Sequence, residues 1–103
     1  MQKFMVVLFN LKPGASADEY EAFAASEDMP EVKKLSSVTD MAVNRIIGTM
    51  DGTPPPYQYA EIITISDFDK LGSEAQSDKI QEIAGKFMTF ADKPVFLLLE
   101  QFC

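Results

Sequence analysis

Two stretches of the chain decide the fold: Glu19-Tyr-Glu-Ala-Phe23 through Asp28-Met-Pro-Glu-Val-Lys-Lys-Leu35, and the strand-like run before them. Residues 4–11 begin with six apolar side chains in a row, Phe4-Met-Val-Val-Leu-Phe9, which is typical of a strand covered on both faces. The chain then turns at Pro13-Gly14 and continues into an amphipathic segment. The order predicts a strand followed directly by a helix.

The sequence contains signals for both the start and the end of this first helix. Ser16 is a favoured N-cap residue, and Glu19 three residues later completes a capping-box pattern. We predict a helix over residues 17–27. Because the residue before a proline avoids helical angles, Asp28-Met29-Pro30 predicts a break in the helix, with a short second helix over residues 31–35.

The rest of the chain supplies three more strands and a second long helix. We predict strands over residues 38–50, 57–65 and 95–99, and a long helix over residues 73–91 with an apolar stripe at helical spacing. The order strand, helix, strand, strand, helix, strand is the ferredoxin-like βαββαβ motif. We therefore expect one α+β domain over residues 1–103, with a four-stranded antiparallel sheet and both long helices on one face.

The first and last strands are apolar on both faces, yet the helices can cover only one face of the sheet. Burial of the second apolar face favours a partner, at roughly 25 cal/mol per Å² of apolar surface. We therefore predict a homodimer in which two sheets pack face to face.

Composition excludes several classes of function. The net charge is −7, so the chain lacks the basic surface that nucleic acid or an anionic membrane would require. There is no histidine, and Cys103 is the single cysteine, which argues against metal sites and disulfides. No phosphate-binding or nucleophile motif is present, so we expect no cofactor. With no segment long enough to span a bilayer, the expected location is the cytoplasm.

Two carboxylates are the candidate acid–base residues. Asp28 follows Glu27 and precedes Pro30, and it is either a solvated helix end or a pocket-lining proton donor or acceptor. Glu61 lies between apolar neighbours on a predicted central strand, where an unpaired carboxylate is rarely buried. It either forms an ion pair with Arg45 or faces a cleft with a raised pKa.

The remaining candidates are predicted to bind a substrate rather than react with it. Asn10 ends the first strand, where it either orients a ligand by a hydrogen bond or bonds to the Lys12-Pro13-Gly14 turn. Tyr20 and Tyr59 offer rings that can stack on a flat ligand, and Arg45 joins this set. Phe23 and Phe87 either wall a pocket or belong to the core, since their spacing is that of a helix stripe.

This architecture resembles the dimeric α/β-barrel superfamily, in which two ferredoxin-like sheets pack together. Within it, Tyr20-Glu-Ala-Phe23, Asp28-Met-Pro30 and Val32-Lys-Lys-Leu35 resemble the EthD-type pattern. In that pattern an aromatic helix leads to a His-x-Pro and a short basic helix. Asp28 stands at the histidine position here, so histidine chemistry does not carry over.

Four further stretches resemble the RedY-like proteins of prodiginine (prodigiosin) biosynthesis. They are Val7-Leu-Phe-Asn-Leu-Lys-Pro-Gly14, Asp28-x-Pro30, Pro56-Tyr-x-Tyr-x-Glu61 and Phe90-Ala-Asp-x-Pro-Val-Phe96. The resemblance implies a role in making the bipyrrole half of the pigment.

Three hypotheses about function follow from this resemblance and from the candidate residues. The first is a cofactor-independent enzyme that performs dehydration, tautomerisation or cyclisation on a pyrrole-type intermediate. The second is a non-catalytic protein that shields an intermediate or docks to other pathway enzymes. The third is a cofactor-free monooxygenase, which the absence of tryptophan and histidine makes less attractive.

Overall fold

Four antiparallel strands form a single sheet in the computed structural model, which describes residues 1–103. The strands are β1 (Lys3–Leu11), β2 (Val38–Arg45), β3 (Tyr59–Ile65) and β4 (Ala91–Glu100), and their order in the sheet is β2-β3-β1-β4. The two central strands, β1 and β3, pair with each other, while β2 and β4 form the edges. This is the ferredoxin-like arrangement, and the predicted α+β fold class is confirmed.

The helices cover one face of this sheet. They are α1 (Ala17–Phe23), a π-helical turn (Ala24–Asp28), α2 (Met29–Lys33), α3 (Phe68–Glu74) and α4 (Asp78–Phe90). The Ser16 hydroxyl accepts a hydrogen bond from the Glu19 backbone N–H at 3.1 Å, as the capping pattern predicts. None of these helices combines the length and the apolar character that a membrane-spanning segment needs.

The predicted helix break at Asp28 is wrong. Asp28 keeps helical angles (φ −63°, ψ −63°), and the Met29 N–H donates to the Ala24 carbonyl across a π-type turn. Pro30 then falls in the first turn of α2, where its missing N–H has no intrahelical partner to lose. The chain therefore passes the proline by widening the helix by one residue instead of ending it.

Several predicted boundaries also differ from the structure. The strand predicted over residues 38–50 ends at Arg45, and residues 46–58 form a loop, because Asp51-Gly52 makes a turn and Pro54-Pro55-Pro56 cannot donate to a ladder. The helix predicted over residues 73–91 begins only at Asp78. β4 starts earlier than predicted and carries a bulge near Lys93, whose φ of 47° is left-handed.

The main core lies between the helices and the β1–β3 pair. Phe9 is fully buried at its centre, with ring centroids 5.2 Å from Tyr20, 5.5 Å from Tyr59 and 5.0 Å from Phe87. Aromatic edges and faces thus pack the α1, α4 and β3 side chains around one strand residue. A smaller cluster beside it consists of Val38, Met41, Ile63 and Ile65.

The opposite face of the sheet has no helix over it. Side chains alternate along β1, so Phe4, Val6 and Leu8 point to this outer face, and their partners on β4 share it. The outer-face residues Ile62, Leu97 and Leu99 are exposed by 40%, 43% and 40%. An apolar sheet surface is therefore left open to solvent in a single chain.

Candidate functional site

Asp28 and Glu61 form a buried carboxyl pair between the helices and the sheet. Glu61 points to the helix-covered face of β3, opposite Val7 on β1 and Val43 on β2, and only 4% of its surface is exposed. Asp28 is the last residue of the π-helical turn and is 5% exposed. The two carboxyl groups are hydrogen-bonded to each other. The structure thus brings together the two residues predicted to act as acid and base.

Burial shifts both acids toward their protonated forms. Burial, and after it the negative charge of Asp28, raise the pKa of Glu61 to about 8. Burial also raises the pKa of Asp28 to about 6, although the hydrogen bond to Glu61 opposes that rise. Because the carboxyl groups titrate as a unit, the pair holds one shared proton at neutral pH. It can therefore donate one proton and accept another at the same place.

Tyr20 holds Glu61 in position. Its hydroxyl donates to Glu61 Oε2 at 2.7 Å, and its side chain is fully buried. Burial, followed by the nearby Glu61 charge, raises the pKa of Tyr20, so the hydroxyl keeps its proton and serves as a fixed donor. The core encloses the ring of Tyr20, which in this structure presents no open face to a ligand.

Arg45 pairs with Glu21 on α1 and not with Glu61. Its guanidinium donates from Nε to Glu21 Oε2 at 2.8 Å and from Nη2 to Glu21 Oε1. The Tyr59 hydroxyl donates to the same Oε2 at 2.8 Å. These bonds lower the pKa of Glu21 to about 2, the Arg45 contribution being the largest. Of the two interpretations of Glu61, the ion pair with Arg45 is therefore wrong, and the Glu61 carboxyl instead contacts Tyr20 and Asp28.

A cavity of about 540 Å³ opens beside these residues, at the β2 edge of the sheet. Its lining is mostly apolar and has one polar edge. The lining residues are Glu21, Ala24, Ala25, Met29, Val43, Asn44, Arg45, Ile47 and Tyr59. A smaller cavity of about 260 Å³ shares Arg45 and Tyr59 with it and is bounded by the 46–58 loop. Neither carboxyl of the buried pair lines the two cavities, but Val43 opposes Glu61 and Met29 follows Asp28.

Of the remaining predicted binding residues, only Tyr59 and Arg45 reach the cavities. Asn10 points to the outer face of the sheet and donates to the Pro56 carbonyl at 3.0 Å, not to the Lys12-Pro13-Gly14 turn. Phe23 and Phe87 are buried in the core, which is the second of the two interpretations that their spacing allowed.

Glu21 is the site residue that sequence reasoning missed. Glu27, which directly precedes Asp28, does not join the buried carboxyl pair. Glu27 bonds to Lys86 on α4 at 2.6 Å instead of sharing a cleft with Asp28. Glu21 follows Tyr20 directly, so it lies beside the buried stripe of α1 at the rim of the cavity. The sequence does show the Glu21 carboxylate next to a core tyrosine. The residue that pairs with this carboxylate, however, depends on the register of β2.

The sequence matches the model of a known protein family over nearly the whole chain. The family model described as REDY-like protein HapK matches residues 3–102. The chain belongs to this family. No curated protein sequence matches it. The predicted resemblance to RedY-like proteins is thereby confirmed.

Solved structures share the fold of this chain at low sequence identity. HapK from Hahella chejuensis has a TM-score of 0.77 and 22% identity, covering 97% of this chain and 92% of that one. An ethyl tert-butyl ether d (EthD) family protein from Bacillus halodurans has a TM-score of 0.78 and 19% identity, covering 99% and 100%. Hydroxynitrile lyase from Passiflora edulis has a TM-score of 0.76 and 16% identity, covering 95% and 91%. Other similar structures are described as dimeric ferredoxin-like proteins.

The buried carboxyl pair predicts an unusual dependence of stability on pH. Both acids have a higher pKa in the folded chain than in the unfolded chain, where the ordinary values are 3.8 and 4.5. The folded state therefore binds more protons, and its extra stability, present below about pH 4, is lost as the pH rises through the folded values toward pH 8. Over pH 5.5 to 8.5 we expect the free energy of unfolding of the native chain to fall, by on the order of a few kcal/mol.

Urea unfolding at several pH values across this window measures the effect. Glu61→Gln should remove most of the decline, whereas Glu31→Gln, which changes a half-buried carboxylate paired with Lys34, should keep it. Equal pH slopes for Glu61→Gln and the native chain would contradict the assignment. Three carboxylates that accept hydrogen bonds have pKa values lowered to about 2 and titrate below this window: Glu21, Asp51 and Glu74.

Proposed function

We propose that this chain is a small biosynthetic protein of a prodigiosin-type pigment pathway that acts on a pyrrole or bipyrrole intermediate by acid–base chemistry. The observation that carries the proposal is the buried Asp28–Glu61 pair beside a cavity of about 540 Å³. Pockets of this volume suit a small organic ligand. Membership of the REDY-like HapK family supports the pathway.

The carboxyl pair has the properties that a proton-transfer step needs. In a dehydration, the protonated carboxyl gives its proton to the leaving hydroxyl while the ionised one takes a proton from the adjacent carbon or nitrogen, and water leaves. The pair ends with one proton, as it began, so no cofactor is consumed. Tautomerisation uses the same two groups without a leaving group. A pKa near neutral pH is what makes a carboxyl effective in both directions.

Substrate must come within hydrogen-bond reach of the pair. The residues that line the cavity next to the pair are Ala24, Met29, Val43 and Tyr59. Met29 is half-buried and unbranched, so it is the lining side chain that moves aside most easily. The proposed reaction therefore includes a rearrangement of this wall when the ligand binds. The Passiflora edulis protein of the same fold, a lyase by name, is consistent with such chemistry in this architecture.

A second candidate function is the binding and shielding of a reactive intermediate without catalysis. It is favoured by the fact that neither carboxyl lines the cavity, whose walls are mostly apolar. In this case the carboxyl pair is a structural element, and docking to other pathway enzymes delivers the ligand.

We also propose that two copies pack through the outer faces of their sheets, as a dimeric α/β barrel. The uncovered apolar surface on β1, β3 and β4 supports this assembly, as do the similar structures described as dimeric. The proposed partners are thus a second copy of the chain and a small aromatic ligand.

Pigment-intermediate profiling tests the catalytic proposal. In a prodiginine-producing host whose own RedY-like gene is replaced by this one, Asp28→Asn and Glu61→Gln should each lower pigment output at least tenfold and accumulate the precursor seen in the deletion. General acid–base catalysis typically contributes about a hundredfold or more, which justifies this threshold. Glu31→Gln, which removes a half-buried carboxylate that lines neither cavity, is the matched control and should restore full output.

Two results would overturn the proposal. Full pigment output from a folded Asp28→Asn/Glu61→Gln double variant would show that the carboxyl pair is dispensable, and would favour the binding function. Failure of the unaltered gene to replace the deleted one would contradict the pathway itself.

Adjacent leucines on β4 test the proposed dimer. Leu97 points to the outer face with Val6, whereas Leu98 points to the helix side with Met5. Light scattering should give twice the chain mass of 11.5 kDa. Leu97→Lys should yield monomers, because a desolvated lysine opposes sheet packing, while Leu98→Lys should leave the dimer intact. A monomeric native chain, or the reverse pattern of the two variants, would refute the outer-face interface.

A further inference from the structure

The polar edge of the larger cavity is a single ion pair with free hydrogen-bonding capacity. Glu21 Oε2 accepts bonds from Arg45 Nε and the Tyr59 hydroxyl, whereas Glu21 Oε1 accepts only from Arg45 Nη2. An ionised carboxylate oxygen has two acceptor positions, so Oε1 keeps one. A guanidinium has five N–H groups, and Arg45 uses two of them here. One unused acceptor therefore stands beside unused donors.

Both residues are accessible from the cavity. The side chain of Arg45 is 72% exposed and that of Glu21 is 29% exposed, and both belong to the lining. Tyr59 fixes Glu21 from below through its hydroxyl, and its own ring is held by Phe9 and Tyr20. The acceptor side of the pair is thus anchored to the core, while the donor side lies at the mouth.

The charge of the pair selects the charge of the ligand. Glu21 and Arg45 neutralise each other, so an anionic ligand on Arg45 would lie against the Glu21 carboxylate, and a cationic ligand on Glu21 would lie against the guanidinium. A neutral ligand avoids both repulsions. It satisfies both free groups when it carries an N–H donor next to a carbonyl-type acceptor.

The shape of the two cavities limits the rest of the ligand. The small side chains Ala24 and Ala25 line one part of the larger cavity, and Tyr59 is the aromatic residue of its lining. The second cavity shares Arg45 and Tyr59 with the first and is also lined by Pro55 and Tyr57. By their volumes, the larger cavity can take one ring, and a second linked ring can lie in the smaller cavity.

We propose that Glu21 and Arg45 determine specificity, by binding a neutral, flat heteroaromatic ligand through a ring N–H donated to Glu21 and an adjacent carbonyl oxygen held by Arg45. This inference rests on the proposed function, because it names the substrate class of the same site. It assigns a role to Glu21 that is separate from proton transfer at Asp28 and Glu61.

Three related probes separate the features of this ligand. Pyrrole-2-carboxamide is neutral and has both the N–H and the carbonyl; 1-methylpyrrole-2-carboxamide lacks the ring N–H; pyrrole-2-carboxylate carries a negative charge. Dissociation constants come from titrations of the isotope-labelled native chain followed by NMR, using the backbone signals of Asn44 and Ile47 and the Arg45 Nε–H signal. The carboxamide should bind about tenfold more tightly than either of the other probes, since a hydrogen bond to a charged group is lost or a like charge is added.

Variants of the pair make the test specific. Glu21→Gln leaves Arg45 without its counter-charge, so the order of carboxamide and carboxylate should reverse. Arg45→Gln should weaken the carboxamide and the carboxylate together. Glu31→Gln, the matched variant at a carboxylate that lines neither cavity, should keep the native order. The reversal in Glu21→Gln cannot be produced by a loss of folding, which would abolish binding of every probe.

Equal affinities for the carboxamide and its N-methyl analogue would overturn the proposal, as would the absence of any shift at the cavity signals with all three probes. Neither result depends on pigment output, which tests Asp28 and Glu61. The recognition proposal and the catalytic proposal therefore fail separately.

Discussion

The hydrogen-bonded chain Tyr20–Glu61–Asp28 is the interaction on which the rest of the structure depends. A carboxylate on the core-facing side of a central strand is costly to bury, unless it is protonated or receives hydrogen bonds. Here Tyr20 supplies a donor at 2.7 Å, and Asp28 shares a proton with Glu61. The aromatic core then closes around the tyrosine through Phe9 and Tyr59. Packing of α1 and protonation of Glu61 are thus parts of one arrangement.

The π-helical turn follows from the same requirement. It places Asp28 at the end of a widened helix, facing β3, and it allows Pro30 to enter the next helix without losing a needed N–H. π-type turns are often found at functional sites, where they shift a side chain relative to a regular helix. A π-helical turn and the burial of two acids are both features that a purely structural core seldom contains.

The sequence predicts features that depend on neighbouring residues better than features that depend on residues far apart along the chain. The order of elements, the capping by Ser16 and the apolar stripe of α4 are local patterns, and the structure contains them. The burial of Glu61 follows from its place between apolar strand residues. The sequence identifies Asp28 as a candidate, but the proline rule wrongly predicts a helix break there, because that rule omits the π-helical alternative. The Glu21–Arg45 pair was missed because it depends on the register that sets Arg45 opposite Tyr59.

NMR titration of the side-chain carboxyl carbons measures directly whether the buried carboxyl pair keeps a proton at neutral pH. We expect the pair to titrate in two steps, near pH 6 and near pH 8, both well above the ordinary acids of the same chain. If both signals instead complete their change below about pH 5, in the range of ordinary carboxylates, the pair is ionised at neutral pH. The proposed acid–base role then has no proton to give.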